Sequence, residues 1–231
     1  MGDYIQIAGR DGAFRAYVAR PAVTPAPAVV VLHEVFGVNA DIRDTCDELA
    51  AHGFIALAPD LFWRQEPGVD LGVRSEADWQ KGVALYTAYD RDLGVKDVDD
   101  TMRAAAVLDG SSGKVGVMGF CLGGLLTFLA AARGRVDAAV AYHGGDTERY
   151  LDEAPSVASP MLMHLGELDE FIPPEAQARI KAALAGKPEV EIHSYPGCYH
   201  AFARHNGAHY DPAAATLANG RTWAFLDAHL A

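Results

Sequence analysis

Short runs of apolar, β-branched residues recur along the chain, separated by stretches with helical spacing. Tyr4–Ile7 and Phe14–Val18 alternate apolar and polar positions on either side of Asp11-Gly12, which predicts an amphipathic hairpin at a sheet edge. Ala28–Leu32 is continuously apolar, as a strand buried on both faces must be. Phe54–Ala58, the run into Met118, Val136–Tyr142 and Pro160–Leu165 repeat that pattern, and Val190–Tyr195 reads as the last strand. Between them, helices are predicted over Asp41–His52 (Asn39 or Asp41 as cap, Gly53 as stop), Glu76–Tyr89, Val95–Leu108, Gly124–Ala132, Pro174–Ala185 and Ala213–Leu230. Asp97, Asp99 and Asp100 would sit in the first turn of the Val95–Leu108 helix and suit its dipole. Leu61–Asp78 has little periodicity and is expected to make an excursion over one rim of the sheet, fixed or as a lid. No repeat and no low-complexity linker interrupts the pattern. Five apolar strands alternating with helices predict a single domain over residues 1–231, with a mostly parallel central sheet and helices on both faces.

Composition narrows the function classes. The chain has 231 residues, half of them apolar, and a formal net charge of −12. That charge argues against nucleic acid and anionic membrane as partners, though not against an anionic small molecule focused by local arginines. Residues Met1–Arg20 carry charges throughout, unlike a signal peptide, and no apolar run is long enough to span a bilayer. Three cysteines, Cys46, Cys121 and Cys198, lack C-x-x-C spacing. This suggests free thiols in a reducing cytoplasm. Cys46 is expected in the core, and Cys198 as a packed thiol or a redox group.

The candidate chemistry centres on Lys114–Leu126. A β-branched run ends in Gly119-Phe120-Cys121-Leu122-Gly123 and a helix-forming stretch follows at once. This is the strand–turn–helix form of a nucleophile elbow, G-x-S-x-G, with cysteine as nucleophile. The glycines relieve clashes at a strained turn, and the helix start directs amide groups at the sulfur. The bland alternative is a buried, inert cysteine in a Gly-rich turn.

Other strand ends carry reactive groups: Glu34 after Ala28–Leu32, Asp169 after Pro160–Leu165, and His200 after Val190–Tyr195. Ligands bind beyond the carboxyl ends of strands in open α/β sheets. The chain order of nucleophile, acid and histidine is that of the α/β-hydrolase fold. In this reading Cys121 attacks, His200 moves protons and Asp169 orients the imidazole. The amides of Leu122 and Val35 would form the oxyanion hole.

These residues resemble the dienelactone hydrolase (carboxymethylenebutenolidase) family. The resemblance rests on His33-Glu34-Val35-Phe36-Gly37-Val38-Asn39, Ala58-Pro59-Asp60-Leu61, Gly119–Gly124 and His200-Ala201-Phe202-Ala203-Arg204. It implies a Cys-His-Asp triad that opens the ring ester of dienelactone during aromatic degradation, with no metal or organic cofactor. It further implies that Glu34 helps to deprotonate Cys121 and that Arg204 pairs with a substrate carboxylate. Two positions depart from the family pattern. The second carboxylate-binding arginine expected before Tyr89-Asp90 falls on Trp79, and a tyrosine after the elbow appears as His143. Substrates therefore stay open among esters, lactones and thioesters, carboxylate-bearing ones included, acted on by a monomer or homodimer.

Several residues admit two readings. Glu34 is a functional group or a solvated loop carboxylate. Arg204 shares a face with His200 if a short helix follows the latter, and is otherwise a surface cation. His33 is expected as loop scaffold. His205 and His209 have metal-pair spacing, but no long helix is expected there. Phe36, Trp63 and Trp79 line an apolar pocket or anchor the rim segment. At the level of function, a non-catalytic or redox-sensing thiol binder and a broad carboxylesterase are the alternatives to a dedicated hydrolase.

Overall fold

The computed structural model describes residues 2–230. Its strands are β1 (Asp3–Gly9), β2 (Gly12–Ala19), β3 (Ala26–Leu32), β4 (Ile55–Pro59), β5 (Ser111–Phe120), β6 (Ala138–Tyr142), β7 (Met161–Gly166) and β8 (Val190–Tyr195). The helices are α1 (Ala40–Ala51), α2 (Glu76–Ala88), α3 (Arg91–Ala106), α4 (Leu122–Arg133), α5 (Pro174–Leu184) and α6 (Pro212–Leu230). Two 3₁₀ turns, Thr147–Arg149 and Leu151–Ser156, join β6 to β7. The strands form one sheet in the order β1-β2-β4-β3-β5-β6-β7-β8. By contact the chain divides into two compact units, one ending at Val117 and one beginning at Met118.

In the first unit β1 and β2 pair antiparallel, Tyr4 opposite Tyr17 and Gln6 opposite Arg15, as the alternating pattern predicted. β2 runs antiparallel to β4, and β3 parallel to β4. All five residues of β4 are buried, which requires cover on both faces. Asn39, not Asp41, caps α1: its side chain accepts from Ile42 N at 3.2 Å. In the second unit β6, β7 and β8 pair in parallel. β8 forms over Val190–Tyr195, the span expected for the last strand. It holds its place at the sheet edge although its residues are only partly buried, because parallel pairing with β7 needs only one neighbour.

The largest correction concerns α3. It starts at Arg91, four residues before the expected Val95, because Asp90 caps it by accepting from Leu93 N at 3.0 Å. Asp97 and Asp100 therefore lie mid-helix and buried, away from the helix dipole. Each meets a basic side chain instead. Asp97 accepts from Arg64 and, at 2.9 Å, from the Trp63 indole. Asp100 takes the Arg10 side chain and, at 2.8 Å, the Arg10 backbone N–H. Burial pushes the Asp97 carboxyl up despite Arg64 and Trp63. Asp100 is also penalised by burial, but the Arg10 guanidinium and backbone N–H outweigh this and hold it below its usual range.

The excursion after β4 is tied down by these contacts. Trp63 stacks on Phe14 with ring centroids 5.5 Å apart, so Trp63 anchors the rim segment. Farther along, Leu71 N donates to Phe36 O at 2.9 Å, and Gly37 pairs with Asp70 as an isolated bridge. Gly37 has φ +74°, and a Cβ there would lie 2.1 Å from Val69 O, so only glycine fits this crossing. The expected Leu61–Asp78 excursion ends slightly early, since Ser75 caps α2 by accepting from Asp78 N.

Candidate active site

β5 delivers the chain to Cys121, which has φ 53° and ψ −112° and immediately precedes α4. A non-glycine residue in that conformation is strained, and the surroundings must hold it there. They do so through Cys121 N, which donates to Tyr142 O at 3.1 Å, and Cys121 O, which accepts from Leu125 N at 3.1 Å. A Cβ on Gly119 would lie 2.1 Å from Gly123 O, so the entering strand and the departing helix come closer than any side chain allows. α4 is buried from Leu122 to Ala132, and Cys121 at its start is only half-buried. The helix starts at Leu122 instead of Gly124 because the turn is a single residue long.

Asp169 follows β7 and is buried. Its Oδ1 accepts from Phe171 N at 2.9 Å and Ile172 N at 3.2 Å, which fixes the carboxylate. His200 Nδ1 lies 2.8 Å from Asp169 Oδ2 and 3.0 Å from Oδ1. A carboxylate only accepts, so Nδ1 carries the proton and donates. Nε2 is thereby the outward nitrogen, and it is buried without a hydrogen bond. Burial disfavours an imidazolium, but the Cys121 sulfur's negative charge and the Asp169 carboxylate outweigh it and raise His200 to about 10. The sequence-predicted Cys121, Asp169 and His200 are thus brought together.

His143 follows β6 with φ 38° and is fully buried. Its ring meets the His200 ring edge-on, centroids 4.5 Å apart, and lies near Phe120 and Phe202. Neither of its nitrogens has a hydrogen-bond partner. Burial, followed by the charges of His200 and Arg204, holds its pKa well below the usual imidazole range, so the ring is neutral. Arg204 acts on His143, but not from a helix. Residues 200–203 form turns, with Ala201 at φ 58° and Arg204 N donating to Ala201 O at 3.0 Å. The i, i+4 argument for Arg204 and His200 sharing a helix face therefore lapses.

His205 and His209, which have metal-pair spacing, turn to different rings. His205 packs on Tyr210, and His209 packs on Tyr199. Among the described residues no cluster of three or more His, Cys, Asp or Glu is arranged to hold a metal ion. Cys46 is wholly buried, with burial raising its thiol pKa, and Cys198 is buried beside Asp211 and Glu167 with the same direction of shift. Sequence reasoning missed Phe171, whose half-exposed ring stands edge-on to His200 at 4.8 Å. It also missed Glu170, which accepts from His200 N at 3.2 Å. Their adjacency to Asp169 was the available signal.

Within the first unit, the loop after β3 is buried and tied by hydrogen bonds. His33 Nδ1 donates to Glu34 O at 2.6 Å while Nε2 accepts from Leu61 N at 3.0 Å. This tautomer makes His33 a scaffold residue, and burial keeps it neutral by lowering its pKa. Glu34 is 5% exposed, so it is not a solvated loop carboxylate. Val35 and Phe36 are buried, and the half-buried Trp79 lies 6.0 Å from the Phe36 ring.

A mostly parallel sheet, a cysteine at a strand–helix elbow, and an acid and a histidine following later strands define the α/β-hydrolase class. The model of the dienelactone hydrolase family matches residues 14–230, and the chain belongs to that family. It is 46% identical over 232 residues, all of both chains, to a protein of Azospirillum brasilense named as a candidate carboxymethylenebutenolidase. Identity to the carboxymethylenebutenolidase of Pseudomonas putida is 41% over 223 residues, covering 96% of this chain and 94% of that one. The crystal structure of a candidate dienelactone hydrolase from Klebsiella pneumoniae superposes with a TM-score of 0.87 at 29% identity, covering 98% of each chain. By family the chain is an enzyme, a hydrolase of carboxylic ester and lactone bonds. None of the helices among its described residues is long and apolar enough to cross a membrane.

Proposed function

We propose that this enzyme cleaves small esters or lactones through a Cys121–His200–Asp169 triad and a thioester intermediate. One observation carries the reading. His200 Nδ1 is held by Asp169 at 2.8 Å, which leaves Nε2 to take the Cys121 proton, and the Cys121 sulfur and the Asp169 carboxylate raise His200 to about 10, which favours the protonated imidazole. The Cys121 thiolate attacks the acyl carbon, and the carbonyl oxygen becomes an oxyanion held by the Leu122 amide at the start of α4. The C–O bond then breaks, and the imidazolium proton goes to the departing oxygen. Neutral His200 next takes a proton from water, whose oxygen attacks the thioester and releases the acid. The balance is one water consumed, one acid and one alcohol formed, both on one molecule for a lactone.

Arg204 is proposed to bind a substrate carboxylate, with neutral His143 as a further substrate contact. The roles of Glu34 as an aid to Cys121 deprotonation, of Val35 as second oxyanion donor and of Phe36 and Trp79 as substrate contacts follow from the family resemblance. Three free cysteines suit a reducing cytoplasm, the compartment proposed here.

The test is hydrolysis of cis- and trans-dienelactone and of p-nitrophenyl acetate by wild type and Cys121→Ala in parallel. Lactone turnover abolished in the variant supports the full reading. Cleavage of the simple ester alone supports the mechanism and discards dienelactone as substrate. Full esterase activity in Cys121→Ala would falsify the mechanism.

A further inference from the structure

Asp169 holds only the ring of His200. The backbone beneath that ring has no regular secondary structure: residues 200–203 are turns, and Ala201 sits at φ 58°. An imidazole on such a segment can reach Asp169 from several backbone positions, and only some of them present Nε2 correctly. The backbone therefore needs its own fixing points, and two side chains supply them. Glu170 Oε2 accepts from His200 N at 3.2 Å. His209 Nδ1 donates to His200 O at 3.2 Å, the carbonyl being only an acceptor. Glu170 Oε1 lies 3.7 Å from the same His209 Nδ1, which links the two holders. Tyr199 packs at a tilt against the His209 ring, centroids 5.0 Å apart, and limits its swing. The consecutive carboxylates Asp169 and Glu170 thus take one N–H each from one histidine, at the ring and at the backbone.

We infer that Glu170 and His209 are positioning residues that bracket the His200 backbone and so aim Nε2 at Cys121. The inference rests on the triad reading above. Both side chains are 42% exposed, so their service is geometric and owes little to mutual charge attraction. A displacement of about 1 Å at a catalytic base is enough to cost up to about a hundredfold in rate.

The test compares Glu170→Ala, Glu170→Gln and His209→Ala with wild type and Cys121→Ala. Ester turnover is measured alongside iodoacetamide alkylation of Cys121 between about pH 5 and pH 10. Glu170→Ala and His209→Ala should lower kcat about tenfold with KM held within about twofold. Their Cys121 alkylation at neutral pH should slow, because a displaced imidazole takes the thiol proton less readily. Glu170→Gln should keep most of the activity, because its amide oxygen still accepts the His200 N–H. Unchanged kcat and alkylation in both alanine variants overturns the inference, as does an equal loss in Glu170→Gln and Glu170→Ala. If Cys121→Ala is inactive while the bracket variants behave as wild type, only the bracket fails. If Cys121→Ala stays active, the triad reading and the bracket fall together.

Discussion

Two buried aspartates, one in each unit, face opposite tasks. Asp97 in α3 is held by the Arg64 guanidinium and the Trp63 indole. Asp169 after β7 is held by two backbone N–H groups and by His200. Arg64 keeps its proton at any working pH, so the Asp97 cluster moves no charge and serves to pin the rim segment to α3. Imidazole can release its proton, so the Asp169 cluster can pass charge onward while the carboxylate stays in place. What would separate a structural buried acid from a catalytic one, on the proposed triad, is thus its partner. Depth alone does not decide, since both acids are at most 3% exposed.

Exchanging the acids for amides should separate the two tasks. Asp169→Asn removes the acceptor that fixes the His200 tautomer, and kcat/KM for p-nitrophenyl acetate should fall by about three to four orders of magnitude. A loss below tenfold would place Asp169 with Asp97 as a structural acid. The His200 pair should also show in stability. Its pKa in the folded chain, about 10, lies above the ordinary imidazole value near 6.5, so native His200 binds its proton more tightly than unfolded His200 does. That contribution, on the order of a few kcal/mol, is complete below about pH 6.5 and is lost as pH rises through about 10. The gap in unfolding free energy between wild type and His200→Gln, measured by urea titration, should therefore shrink between neutral pH and about pH 10. A gap independent of pH would contradict the assigned protonation.

Smaller effects are expected in the first unit. Asp97→Asn should cost about 1–2 kcal/mol of stability, read as a drop in Tm of a few degrees, with esterase activity within about twofold of wild type. A large loss of activity at unchanged Tm would show that the rim pin reaches the chemistry. Trp63→Phe keeps the stack on Phe14 and loses only the indole N–H, so about 0.5–1.5 kcal/mol is expected from thermal denaturation. A loss well above that range would move the anchor from the hydrogen bond to packing.

The strand pattern, the elbow and the placement of Cys121, Asp169 and His200 after their strands are legible because local rules dictate them. Short β-branched apolar runs between turn signals favour strands with both faces covered, and Gly119 before Cys121 is needed where strand and helix meet this closely. Three acidic residues read as a dipole signature for a helix starting at Val95, whereas Asp90 is the cap and Asp97 and Asp100 find arginines 33 and 90 positions away in the chain. Arg204 was tied to a helix that the left-handed Ala201 prevents. His209 was weighed as a metal ligand because spacing alone cannot show that its proton is given to the His200 carbonyl.

The sequence by itself determined the family, the alternating α/β architecture, and the strand ends that carry Cys121, Asp169 and His200, since periodicity and glycine placement act over a few residues. Tertiary structure alone decided which histidines are neutral, which carboxylates are pinned by arginine, and how the His200 backbone is held. Those outcomes depend on burial and on partners brought from distant segments, and no local pattern encodes the field that a folded neighbour exerts.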